Sequence, residues 1–165
     1  MPTTVPARRV EDLSYLLAHT SHVLATQMSV AMASIGITPR AYCVLFHALQ
    51  AERTQIQLAE IADLDKTTMV VTVDELERAG LAERRPSGTD RRARIIAVTD
   101  AGRKVVAEGT RIADGVHRAV LDALPGAERD VLVSALSRLA AGYLAMPAGS
   151  DRPVRRARQR STGPG

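Results

Sequence analysis

The stretch from residue 64 to residue 102 constrains the fold most, because its hydrophobic period changes half-way along. Asp65 is a favourable N-cap residue, since its carboxylate can accept hydrogen bonds from the free amides of a first helical turn. Apolar residues then recur with the spacing of one helix face, at Met69, Val73 and Leu76. Gly80 follows, and glycine most easily adopts the left-handed conformation that ends a helix. These signals predict a helix over residues 66–79.

After that helix the pattern becomes extended. Residues 81–86 form a short run, residues 94–99 are rich in β-branched side chains, and residues 87–90 have the composition of a turn. The predicted hairpin carries two acidic residues, Glu83 and Asp90, against five arginines: Arg84, Arg85, Arg91, Arg92 and Arg94. A helix followed at once by an arginine-bearing hairpin is the layout of a winged helix. The helix suits the major groove of DNA, and the hairpin suits the flanking backbone or minor groove.

The rest of the chain is predicted to be helical, so the fold class is mainly α with one small hairpin. Apolar periodicity and capping signals place the helices at residues 9–34, 38–49, 55–62 and 99–121, and a last one between Pro125 and Pro147. The helix over 55–62 and the helix from 66 form a helix-turn-helix. The helix after the hairpin runs through the apolar residues Val105, Ile112, Val116 and Val120, and Gly109 and Gly115 weaken that helix as an isolated unit.

Charge and composition indicate where a DNA interface can lie. The formal net charge is +4, and residues 151–165 alone account for it with five arginines and one aspartate. Residues 1–150 are therefore neutral, so a DNA footprint must come from the arginines of the hairpin. One cysteine, no signal peptide pattern and no apolar run long enough to span a bilayer indicate a soluble cytoplasmic protein. Residues 148–165 are predicted to be a disordered basic tail.

The helix over residues 66–79 has a second face that is predicted to contact DNA. The candidates are Lys66, Thr67, Thr68, Val70, Val71 and Arg78. Between Thr67 and Glu77 there is no lysine or arginine, so bidentate guanine readout is restricted to Lys66 and Arg78. Contact of Val70 or Val71 with thymine methyl groups, together with threonine hydroxyls, is the readout that this chemistry permits. Arg84, Arg85 and Arg94 are expected to hold phosphates.

Residues 90–102 resemble the signature of the MarR family of transcriptional regulators. Asp90-Arg91-Arg92 is similar to the family's D-x-R pattern, and Val98-Thr99-Asp100-Ala101-Gly102 is similar to its L-T-x-x-G pattern, with Val98 in place of leucine. The helix from Lys66 resembles the family's recognition helix, although many members have a polar or basic residue near position 71. The resemblance covers about residues 10–145. It implies that Arg92 enters the minor groove while Asp90 orients its guanidinium.

The resemblance also implies a homodimeric, ligand-responsive regulator, most often a repressor, that binds a pseudo-palindromic site in double-stranded DNA. The winged-helix domain is then residues 9–147. Residues 38–99 form the DNA-binding lobe, and residues 9–34 and 100–147 form the dimerisation helices, whose apolar stripes need a partner. Family members bind small molecules between these helices and the lobe. In this chain the candidate pocket residues are Leu16, His19, Val23, Tyr42, Phe46 and His47.

Other functions are weighed against this one. Cys43 and His47 lie one helical turn apart, a spacing that suits a redox-active thiol or a metal site, but a lone cysteine in an apolar helix is more often part of the core. The sequence has no catalytic constellation, so we predict no enzymatic activity, no bound metal and no cofactor. Two alternatives stay open: a winged helix that binds only other proteins, and a redox- or metal-sensing regulator that uses Cys43.

Overall fold

The computed structural model describes residues 12–88, 90 and 93–145. These residues form six helices and one antiparallel hairpin: α1 (Leu13–Ala33), α2 (Pro39–Gln50), α3 (Gln55–Ile61), α4 (Lys66–Arg78), β1 (Ala82–Pro86), β2 (Arg94–Val98), α5 (Asp100–Asp122) and α6 (Gly126–Ala141). The chain divides into two compact units at residues 121 and 122. The predicted fold class, mainly helical with a hairpin wing, is confirmed.

The ends of the helices follow local capping chemistry. Asp65 accepts hydrogen bonds from the backbone amides of Thr67 and Thr68, both at 3.0 Å, and so begins α4. Gly80, which lies just beyond the end of α4, has a φ of 69°, the left-handed region expected of a glycine after a helix. Thr54 and Gln57 form the reciprocal capping box that opens α3. The predicted helix limits in this region are therefore correct to within a residue.

The core of the first unit lies between α2, α3, α4, α5 and the hairpin. The face of α4 predicted to be buried is buried, with exposed fractions of 0% for Met69 and Val73 and 2% for Leu76. Thr72 is also buried, and its hydroxyl donates to the Thr68 carbonyl oxygen at 2.8 Å, which removes the cost of burying a polar group. From α2 the core receives Ala41, Val44, Leu45 and Ala48.

The hairpin is held by more than its own two strands. The register pairs Ala82 with Val98 and Pro86 with Arg94. On the other edge of β2, the Ile96 amide donates to the Arg53 carbonyl oxygen at 3.1 Å, and Thr54 forms a bridge with Ile95. The segment that leads into α3 thus pairs with the outer edge of β2 and fixes the base of the wing, although no sequence pattern indicates this pairing.

The fully buried residues of α5 are not the apolar residues that the sequence singles out. The residues that are buried are Gly102, Val106, Gly109 and Ala113, whereas Val120 is 38% exposed. Two of the four are glycines because neighbouring groups come close to the α5 backbone there. A Cβ on Gly109 lies 2.6 Å from a ring carbon of Tyr42, so this glycine makes room for an aromatic ring. Val105 is half-buried and packs against the core, and Ile112 and Val116 are also half-buried, so the apolar residues border the buried face. Hydrophobicity alone does not reveal that glycines form part of that face.

The first and last helices leave apolar side chains uncovered. In α1 only Met32 is buried, and in α6 no residue is buried. Large hydrophobic residues of these helices that remain exposed are Leu13, Leu16, Val23, Val30, Val131, Leu132, Val133, Leu136 and Leu139. Over the described residues no helix is long and apolar enough to cross a membrane. Residues 9–11 and the tail at 148–165 lie outside the described part of the chain.

Candidate nucleic-acid interface

The face of α4 that points away from the core carries the predicted DNA-contacting residues. Lys66, Thr67 and Arg78 are exposed. Val70 and Val71 are exposed by 36% and 49%, although both are aliphatic and lie side by side. Thr68 is half-buried, and its hydroxyl donates to the Asp65 carboxylate at 2.6 Å. Thr68 therefore completes the helix cap, while its predicted contact with DNA stays a prediction.

The predicted wing arginines have different surroundings. Arg85 and Arg94 are exposed, and the Arg85 guanidinium forms an ion pair with Glu83 on the same strand. The Arg84 side chain points the other way, toward α4, where it binds Asp74 and Glu77. Sequence reasoning missed this cluster, although Asp74 and Glu77 are one helical turn apart and Arg84 lies on the next element. Arg91 and Arg92 lie outside the described residues.

The turn of the wing is closed by short-range hydrogen bonds. The Ser87 amide donates to the Ala93 carbonyl oxygen at 2.9 Å, and the Ala93 amide donates to the Asp90 carbonyl oxygen at 3.0 Å. The Asp90 amide donates to the Ser87 hydroxyl at 3.3 Å. These bonds fix the backbone on both sides of the Asp90-Arg91-Arg92 motif.

Thr99 joins the end of the wing to the end of α4. Its hydroxyl donates to the Gly80 carbonyl oxygen at 2.7 Å and accepts from the Gly102 amide at 3.1 Å, so it also caps α5. Its amide donates to the Leu81 carbonyl oxygen at 3.1 Å. The V-T-x-x-G segment therefore ties α4, β2 and α5 together at one point.

The candidate ligand residues fall into two groups. On α2, the rings of Tyr42 and Phe46 lie 5.7 Å apart, the rings of Phe46 and His47 lie 5.4 Å apart, and the Tyr42 hydroxyl is 3.0 Å from the Thr110 hydroxyl of α5. On α1, His19 stacks on Tyr15, and Leu16 and Val23 are exposed. A groove of about 450 Å³ lies elsewhere, between the end of α2 and the wing, and none of the six candidates lines it.

Cys43 lies on α2 and is half-buried. Burial, and secondarily the negative charge of Asp63, raise the pKa of the Cys43 thiol above its usual value. A thiol with a raised pKa holds less of the reactive thiolate at neutral pH, which favours a structural role over a redox role. Among the residues that the structure describes, no three His, Cys, Asp or Glu side chains form a group that could hold a metal ion.

Alkylation of Cys43 is expected to be suppressed in the folded protein. At about pH 8, an ordinary thiol is partly ionised, whereas the Cys43 thiol is ionised to a smaller extent because its pKa is raised. Iodoacetamide should therefore react more slowly with the native protein than with the protein unfolded in guanidinium chloride. The rate should rise only at a pH above that at which the unfolded chain reacts. Equal rates in the two states near neutral pH contradict a half-buried thiol with a raised pKa.

Comparison with known proteins supports the interpretation of the helix-turn-helix and wing. A model of the MarR family matches residues 35–93, a range that contains α2, α3, α4 and β1 and ends just before β2. Structures of MarR-family transcriptional regulators are similar over most of the chain. Residues 35–93 of this chain therefore match the MarR family. The winged helix of this chain is that of a MarR-type transcriptional regulator.

Three structures of MarR-type regulators illustrate the similarity. CouR from Rhodococcus jostii RHA1, bound to p-coumaroyl-CoA, is 27% identical, covers 86% of this chain and 96% of its own, and has a TM-score of 0.74. The transcriptional repressor CouR bound to a 23-mer DNA duplex is 29% identical over 78% of this chain and 92% of its own, with a TM-score of 0.69. A MarR-family regulator from Rhodococcus sp. RHA1 is 26% identical over 79% and 95%, with a TM-score of 0.71.

Proposed function

We propose that this MarR-family regulator is a homodimeric repressor that binds a pseudo-palindromic operator and releases it when a small molecule binds. The observation that carries the proposal is the exposed pair Val70 and Val71 on α4, opposite a fully buried face and directly before an arginine-rich wing. Adjacent exposed valines on a helix indicate a surface that binds something. The similarity to CouR, a repressor solved on a DNA duplex, supports DNA as that partner.

In this proposal α4 and the wing contact different parts of the DNA. The aliphatic side chains of Val70 and Val71 contact thymine methyl groups in the major groove, and Thr67 and Thr68 supply hydroxyl groups. Lys66 and Arg78 lie at the two ends of α4, where they can contact bases or phosphates. On the wing, Asp90 orients Arg92 in the minor groove, with Arg91 beside it. The exposed Arg85 and Arg94 contact phosphates.

The effector is proposed to bind near α1 and α2, at Leu16, His19, Val23, Tyr42, Phe46 and His47. Support comes from the aromatic cluster on α2 and from CouR, which was solved with p-coumaroyl-CoA bound. Such a ligand can cause DNA release only if its affinity is higher for the protein conformation that does not bind DNA than for the conformation that does. The absence of enzymatic activity stays a prediction, in keeping with a family of transcriptional regulators.

A mobility-shift titration on the DNA upstream of the protein's own gene tests the DNA-binding proposal. We expect a shift at nanomolar to micromolar protein that a scrambled duplex of equal length does not compete away, because specific sites bind roughly 10³-fold or more tighter than nonspecific DNA. Equal affinity for both duplexes at every salt concentration contradicts specific recognition. No binding to any DNA favours the alternative, a winged helix that contacts only proteins.

Dimerisation is expected to depend on the apolar stripe of α6. Leu132 and Leu136 are exposed in the single chain and lie one turn apart on this helix. Replacing both with aspartate places two charges in the proposed interface, and sedimentation velocity should then show a monomer. Ser134→Asp adds a charge on the opposite side of α6 and should leave the dimer intact. A wild-type monomer, or a dimer that persists in the Leu132→Asp/Leu136→Asp variant, contradicts the proposed interface.

A further inference from the structure

Arg84 connects three elements of the DNA-binding lobe. Its backbone amide donates to one carboxylate oxygen of Glu77 at 2.8 Å, and its guanidinium donates to the other. The same guanidinium donates to the Asp74 carboxylate at 2.7 Å and to the Gln55 side-chain oxygen at 3.3 Å. Gln55 belongs to α3, Asp74 and Glu77 belong to α4, and Arg84 belongs to β1.

The neighbouring arginine provides a contrast. Successive side chains of a strand point to opposite faces, so Arg84 faces α4 and Arg85 faces away. The Arg84 side chain is 28% exposed and that of Arg85 is 62% exposed. Among the described residues, the ion-pair partner of Arg85 is Glu83 of its own strand, and this pair does not connect the strand to another element. Only the first of these two arginines therefore links the wing to the helix.

The planar guanidinium of Arg84 restrains the geometry of this contact in addition to supplying a positive charge. A guanidinium presents its donors in a rigid fork, so binding two carboxylates one turn apart restrains both the distance and the angle between its strand and the helix. The carboxylates sit on the helix proposed to enter the major groove, where bare negative charge repels phosphate. The pairing with Arg84 offsets that charge.

We infer that Arg84 is a positioning residue: through Asp74 and Glu77 it holds α4 and the wing at the angle at which both fit one DNA site. The inference rests on the proposed function and adds a specific role to a residue that sequence alone places with the phosphate contacts. It also predicts an unusual direction for the change in DNA affinity when an acidic side chain is neutralised. Removing an acidic charge from a DNA-facing helix should normally strengthen DNA binding. Removing the negative charge of Asp74 or of Glu77 should instead weaken DNA binding.

The test compares Asp74→Asn and Glu77→Gln with a matched control, Glu83→Gln, in the full-length protein. Glu83 is an acid on the same wing whose partner, Arg85, does not join two elements. Affinity for the operator is measured across salt concentrations, and circular dichroism melting confirms that each variant is folded at the assay temperature. Asp74 is the more exposed carboxylate, at 48%, so Asp74→Asn is the milder change to the fold.

We expect Asp74→Asn and Glu77→Gln to bind operator roughly five- to fiftyfold more weakly, the range usual for residues in one contact network. Their salt dependence should match the wild type, because no cation is lost. Glu83→Gln should bind as tightly as the wild type or more tightly. Arg84→Gln should weaken binding similarly without lowering the salt slope, and adding Glu77→Gln to it should have little further effect.

Two results overturn the inference while leaving DNA binding intact. One is that Asp74→Asn and Glu77→Gln bind as tightly as the wild type or more tightly, as Glu83→Gln does. The other is that Arg84→Gln lowers the salt slope by about 0.9 for each subunit, the signature of a lost phosphate contact. If the wild-type protein fails to prefer its operator over scrambled DNA, the proposed function fails instead.

Discussion

Replacing Gly102 by alanine is expected to destabilise the protein by about 3 kcal/mol or more, because the added methyl group overlaps backbone atoms. A Cβ at this position lies 2.1 Å from the Leu81 carbonyl oxygen and 2.7 Å from a methyl carbon of Val98. That carbonyl oxygen accepts the hydrogen bond from the Thr99 amide, so it cannot move without breaking the junction between the wing and α5. For a chain of this length the melting temperature should fall by roughly 10 °C.

Gly115→Ala is the matched control on the same helix. A Cβ there meets no atom within 4 Å, so only the backbone effect remains, and alanine should stabilise α5 by about 0.5–1 kcal/mol. Thermal melts of the two variants beside the wild type separate steric conflict from helix propensity. A Gly102→Ala protein that melts within a degree or two of the wild type is incompatible with the close approach of Leu81 to α5.

Some parts of the fold are determined by residues that are close together in the sequence, and others are not. The start of α4 at Asp65 and its end before Gly80 follow from side-chain and backbone chemistry within a few residues, and both are predicted correctly. Gly109 has no such local signal. It looks like a defect in a helix, yet it is buried because Tyr42, far away in the chain, packs its ring there. A residue whose role depends on a distant neighbour is not visible in periodicity.

The same limit applies to the candidate interface. The exposed face of α4 could be predicted because it is the complement of a periodic apolar stripe, and Val70 and Val71 are indeed exposed. Arg84 and Arg85 are assigned the same role from the sequence, because they are adjacent arginines and the sequence does not show which of them faces α4. Only the register of β1 on β2, together with the position of α4, separates the inward Arg84 from the outward Arg85.

Arg92→Ala is expected to weaken operator binding by about 1–3 kcal/mol for each half-site, the usual contribution of one good groove contact. Arg92 lies outside the described residues, so this expectation rests on the D-x-R motif and on the position of the wing beside α4. A guanidinium in a narrow minor groove is favoured by the strong negative potential there, and alanine removes the attraction entirely. In a dimer two contacts are lost, so the total effect should be large.

Salt dependence identifies the kind of contact that each variant removes. Arg92→Ala takes away one cation per subunit, so the slope of log affinity against log salt should become shallower by up to about 0.9 per subunit. Val71→Ala is the matched control from α4, since it removes apolar contact and no charge. It should leave the slope unchanged and reduce discrimination at one base-pair position. If Arg92→Ala binds operator as tightly as the wild type and with the same slope, the wing does not use this arginine, and affinity must come from α4 and the remaining arginines.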